Sequence, residues 1–120
     1  MAANAVAKIP FSGSVQGKPV TVVATATVGT TIHTTGTSAT VIDELWIYAY
    51  NSYGSDQVLS IEFGGVTLPI TVTVPSKAGL MLVIPGFPLL GNGSVALVVT
   101  AFAPQASTIT LSGFVNRITP

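Results

Sequence analysis

Val41-Ile42-Asp43-Glu44-Leu45-Trp46-Ile47-Tyr48-Ala49-Tyr50 alternates without a break. A period of two is the pleat of a β-strand. It sends Val41, Asp43, Leu45, Ile47 and Ala49 to one face and Ile42, Glu44, Trp46, Tyr48 and Tyr50 to the other. Both faces carry bulk, so the stretch is a strand in the middle of something rather than a solvated edge.

The same period governs the flanks. Toward the C-terminus, Asn51-Ser52-Tyr53-Gly54-Ser55-Asp56 is a turn cluster. Residues 57–63 and 66–74 then predict a hairpin with a tight primed turn across Gly64-Gly65. Pro69 inside the second strand assigns it to an edge or a bulge. Residues 79–84 form a continuous apolar run, the pattern of a strand buried on both faces, stopped by Pro85-Gly86-Phe87-Pro88. Two last strands are predicted over 94–102 and 107–118. Toward the N-terminus, residues 19–28 put Val20, Val22, Ala24 and Ala26 on one face, and residues 29–34 form a shorter strand. Residues 1–17, broken by Pro10, Gly13 and Gly17, read as an extended arm, which leaves 18–120 as the folded domain. About eight strands with no helical periodicity predict one all-β domain, an antiparallel β-sandwich of jelly-roll type.

Only 7% of the 120 residues are charged, four Lys+Arg against four Asp+Glu, where an ordinary globular chain carries about 25%. With 48% hydrophobic residues and a mean hydropathy of +0.70, the chain buries a core and is not disordered. Zero net charge supplies no basic stripe for phosphates, so nucleic acid is not an expected partner. No apolar run approaches the roughly 18 residues a membrane helix needs, so no membrane partner is expected. The first residues lack a basic segment followed by a long apolar one, and synthesis in the cytoplasm is the expectation. So sparse a charge leaves wide uncharged surface, which on soluble proteins marks contact area. Association into a homo-oligomer is therefore expected.

The stock of reactive groups is thin. Without cysteine there is no disulfide, thiolate metal site or thiol nucleophile. Asp43 and Glu44 are adjacent on a strand, point to opposite faces and cannot work as an acid and base together. Glu62 could join one of them only if their strands were neighbours. His33 is the sole histidine, which suits a hydrogen-bonded structural role better than a metal site. No Gly-x-Ser-x-Gly elbow accompanies it. No catalytic residue, metal ligand or cofactor is expected. Trp46, Tyr48 and Tyr50, with Tyr53 just beyond, form the one constellation suited to binding. Aromatic rows stack on sugar rings or pack at subunit interfaces. Arg117, near the end of the last strand, is expected to pair with Asp43 or Glu44, since a buried unpaired guanidinium is costly.

Residues 31–118 resemble the small cement, or decoration, proteins of tailed-bacteriophage capsids. The likeness is carried by Ile32-His33-Thr34, by Asp43-Glu44-Leu45-Trp46-Ile47-Tyr48-Ala49-Tyr50-Asn51, by Ile61-Glu62-Phe63-Gly64-Gly65, by residues 79–89 and by Phe114-Val115-Asn116-Arg117-Ile118. The resemblance implies a non-enzymatic virion protein on the outside of a finished icosahedral shell, often trimeric, bridging neighbouring copies of the major capsid protein. The alternative is a tail, fibre or baseplate module that reads a host glycan through Trp46, Tyr48, Tyr50 and Tyr53.

Overall fold

The computed structural model describes residues 5–64 and 69–120. Among the described residues there are nine strands: β1 (Ala5–Ile9), β2 (Val20–Thr21), β3 (Thr30–Thr34), β4 (Ile42–Asn51), β5 (Gln57–Phe63), β6 (Ile70–Val74), β7 (Met81–Leu89), β8 (Val98–Phe102) and β9 (Ile109–Thr119). All pairing between them is antiparallel. Sheet A runs β1-β9-β4-β7, with β2 beside β9 on the same side as β1, and sheet B runs β3-β8-β5-β6.

The order has a simple origin. With β1 and β2 taken as one interrupted strand, the first pairs with the last, β3 with β8, β4 with β7 and β5 with β6. The chain is thus one long antiparallel ribbon with its tip at β5 and β6. Wrapped around a core, the ribbon brings β9 against β4 and β8 against β5. That wrap is the jelly roll.

The core lies between the sheets. Leu45, Ile47 and Ala49 of β4, Ile109, Leu111 and Val115 of β9, Leu59 and Ile61 of β5, Val99 and Ala101 of β8, Ile32 and Ile84 are all fully buried. Each comes from the alternate positions of its strand, which is how period two converts into burial. The Leu45 face of β4 therefore turns inward, and the aromatic face turns out.

Three segments depart from the sequence reading. The apolar run at 79–84 is not buried on both faces. It opens β7, the edge of sheet A, with Leu80 64% and Leu82 42% exposed. The strand continues through Pro85 to Pro88, because an edge strand and its bulges tolerate residues without an N–H. The register against β4 shifts twice, at Gly86 and near Val83. Within residues 19–28, only Val20–Thr21 form a ladder. Val20 and Val22 are buried as the alternation requires, but the N–H groups of Val23 and Ala24 both donate to the Thr30 hydroxyl, which draws the chain off β9. In the hairpin, a two-residue turn would place the partner of Ile61 two positions before Ile70, which is the partner observed. The register is offset from that expectation, and residues 65–68, on which the turn was expected, lie outside the described ones.

The N-terminal segment is extended over Ala5–Ile9 but laid along β9 from Val115 to Thr119. Phe11 is only 3% exposed, and the Gly13 N–H donates to the Ile32 carbonyl. From residue 5 onward the expected arm is a strap fastened to the body, held by Phe11 in the core. Residues 1–4 lie outside the described ones.

Candidate functional site

The outer face of sheet A is laid out in rungs set by register. Val6, Ile118 and Ile42 stand opposite one another on β1, β9 and β4. Next come Lys8, Asn116, Glu44 and Pro88, then Phe114, Trp46 and Pro85, then Ser112, Tyr48 and Leu82. Trp46, Tyr48 and Tyr50 are half-buried there, while Tyr53 sits in the turn beyond β4, 38% exposed. Among the described residues this face carries only two charges, Lys8 and Glu44. Residues that sequence reading missed share it: Phe114, Lys8, Asn116 and Leu82. The even-numbered positions of β9, from Thr110 to Ile118, were the available signal.

The first two charged and aromatic rungs form a unit. The rings of Trp46 and Phe114 stack with centroids 6.0 Å apart and planes 17° apart. The indole Nε1 donates to Glu44 Oε1 at 2.7 Å, and Asn116 Nδ2 donates to the same oxygen at 3.1 Å. These two bonds hold the Glu44 carboxyl below the usual carboxylate range. The Lys8 ammonium lies 4.2 Å from the Phe114 ring centroid, within cation–π range. Gly86 makes room for the indole. Its φ is +80°, and a Cβ there would come within 2.8 Å of the ring.

Inside the sandwich, a second cluster joins the two sheets. The bulge between Thr31 and His33 turns two successive residues, Ile32 and His33, toward the interior. His33 Nε2 lies 2.7 Å from Asp43 Oδ2, and the Ser12 N–H donates to Nδ1 at 3.0 Å. Since Nδ1 accepts, the bonds assign the tautomer with its proton on Nε2. Arg117, expected to meet Asp43 or Glu44, clamps Asp43: Nε donates to Oδ1 and Nη2 to Oδ2, both at 2.8 Å. Burial pushes the Asp43 carboxyl up, but the bonds from Arg117 and His33 outweigh it and hold the carboxyl below its ordinary value. Asp43 in turn raises the guanidinium of Arg117.

Within this cluster Ser12, His33 and Asp43 are the residue types of a nucleophilic triad without its wiring. The Ser12 hydroxyl accepts from the Thr34 N–H, and both imidazole nitrogens are occupied, by Asp43 and by a backbone amide. Glu62 does not approach Asp43 or Glu44 on a neighbouring strand. It belongs to sheet B, alternates with the core residue Ile61, and is covered on the outer side by Thr27, whose hydroxyl donates to Oε2 at 2.9 Å, while Thr100 donates to Oε1 at 3.2 Å. Among the described residues no three His, Asp or Glu side chains gather as a metal site.

The fold and this face together define a jelly-roll β-sandwich with one aromatic sheet face that is uncovered among the described residues. No protein-family model matches the chain, and neither a curated protein nor a solved structure is significantly similar to it.

Proposed function

We propose that the chain is a non-enzymatic structural protein of a virion, attached to the outside of an assembled phage-type capsid through the outer face of sheet A. The observation that carries the reading is that face itself. Its aromatic and apolar rungs are uncovered among the described residues, and they lie on the longest pair of strands. Charge points the same way. Asp43 and Glu62 are buried, so six charged side chains share 6276 Å² of surface. A protein so sparsely charged is kept from water by contact with a larger body. Binding only to the assembled shell would add the binding free energy to the assembled state, which is how a cement protein resists internal pressure.

Cryo-electron microscopy of particles carrying the protein tests this. Many copies spread over the shell, with sheet A turned toward it, are the expected result, and a few copies at one vertex would overturn it. Trp46→Ala should lower shell affinity about 30-fold or more, the usual loss for a buried aromatic anchor, measured as occupancy against free concentration. The buried core does not contain Trp46, so the fold should persist.

One arrangement favours a second reading, recognition of a host glycan. Lys8, Asn116 and Glu44 supply hydrogen-bonding groups one rung from the Trp46 and Phe114 rings, the pairing of stacking and polar contact that sugar binding uses. A glycan array probed with the wild-type chain and with Trp46→Ala separates the two: glycan signal lost in the variant supports this reading, and no signal from either removes it.

A further inference from the structure

A sheet edge presents unpaired N–H and C=O groups that invite another strand, and proteins usually blunt it with proline, lysine, bulges or a covering segment. Three edges of this sandwich are managed in that way. On β7, Pro85 and Pro88 remove donors and two bulges break the register. The edge formed by β1 and β2 carries Lys8 and is interrupted between Ile9 and Val20, with Pro10 and Pro19 inside the gap. On β3, the strap occupies backbone groups: Gly13 N–H donates to the Ile32 carbonyl, and Thr34 N–H donates to the Ser12 hydroxyl.

The fourth edge lacks such devices along its length; Pro69 and Pro75 only flank it. β6 reads Ile70-Thr71-Val72-Thr73-Val74: five β-branched residues in regular register with β5, with no charge, proline or bulge. Among the described residues, no segment pairs with its outer side. Its last residue is covered: Val74 is 1% exposed, and its carbonyl accepts from the Asn51 side-chain amide.

We infer that β6 pairs with β6 of a second copy, antiparallel about a two-fold axis through Val72. The sequence of the strand selects that occupant, because it reads nearly the same in both directions. Centred on Val72, the pairing sets Thr71 opposite Thr73 of the second copy and Val72 opposite Val72. Hydroxyl then meets hydroxyl on the solvent face, where Thr71 and Thr73 are exposed, and β-branched side chains meet on the core side. Two four-stranded sheets become one of eight strands, closed by symmetry so that no further copy adds at this edge.

The test uses charge at the two outward threonines. Thr71→Lys with Thr73→Lys places lysine opposite lysine at both pairs, and Thr71→Glu with Thr73→Glu places glutamate opposite glutamate. Light scattering after size exclusion should give the wild-type chain twice its 12.2 kDa mass at high concentration. Each doubly charged variant should show a dimer dissociation constant raised roughly 10- to 100-fold. An equimolar mixture of the two should recover the doubled mass, which also shows that both variants fold. A wild-type chain that stays monomeric, an assembly unchanged by the charges, or a mixture that stays dissociated would overturn the inference. Trp46→Ala leaves β6 untouched, so loss of shell binding and loss of self-pairing are read separately.

Discussion

An Asp43→Ala chain is expected to lose about 3–5 kcal/mol of folding free energy, the range for removing one partner of a buried charge pair. The carboxylate is 1% exposed and accepts three hydrogen bonds, two from Arg117 and one from His33. Without it the imidazole N–H is left buried with no acceptor, and the guanidinium loses the partner on its inner side. Arg117→Ala should cost less, because 37% of that side chain reaches solvent and Asp43 keeps its bond to His33. Urea unfolding of the two single variants and the double variant closes the cycle. The two costs should fail to add, since both side chains belong to one network.

The same carboxylate gives the fold an acid limit. Its native pKa lies below the ordinary aspartate value of about 4, so its contribution is fully present above that value and is lost as pH falls through the lower native one. Glu44, also held low, adds a slope of the same sign. Subtracting the stability profile of Asp43→Asn from that of the wild type isolates Asp43. The difference should shrink on acidification below about pH 4. A difference that stays constant across that window would mean that Asp43 titrates alike in the folded and unfolded states.

Gly113→Ala is expected to be equally severe, with a loss on the order of 3 kcal/mol or more and little folded protein on expression. Gly113 stands opposite Ile47 in the pairing of β9 with β4. A Cβ there would lie 2.0 Å from the Trp46 carbonyl oxygen and 2.8 Å from the Phe11 ring, and φ is +150°. The oxygen is backbone in the central strand, so it cannot swing away as a side chain would. Relief would require β9 to leave β4, which removes the seam of sheet A. Thermal unfolding by circular dichroism provides the measurement, and a melting temperature within a few degrees of wild type would contradict the assignment.

Much of the architecture was legible because period two is a local signal. The alternation at 41–50 and the turn residues around it located β4, β5, β8 and β9 to within a few residues. Which side of β4 faces the core was not legible. Asp43 makes the aliphatic row look polar, while Trp46, Tyr48 and Tyr50 make the other row look like core. The inward choice depends on Arg117 and His33, 74 and 10 residues away, arriving to satisfy Asp43. The run at 79–84 misled for a related reason: apolar content measures contact, and Leu80 and Leu82 remain exposed at an edge. The polar companions of Trp46 were hidden because Lys8, Asn116 and Glu44 are brought together by the register of three strands rather than by spacing in the chain.

The nested pairing of the ribbon also sets an order on synthesis. Ile61 finds Ile70 almost at once, whereas Val6 waits for Ile118, near the end of the chain. While the ribosome is still working, β4 has emerged with neither lateral partner, and both its aliphatic and its aromatic rows are open to chaperones or to other nascent chains. Contacts so distant in sequence slow folding. A chain halted before residue 109 would keep the other eight described strands but lack the one that locks β1, β2 and β4 together, so sheet A would lie in unjoined pieces.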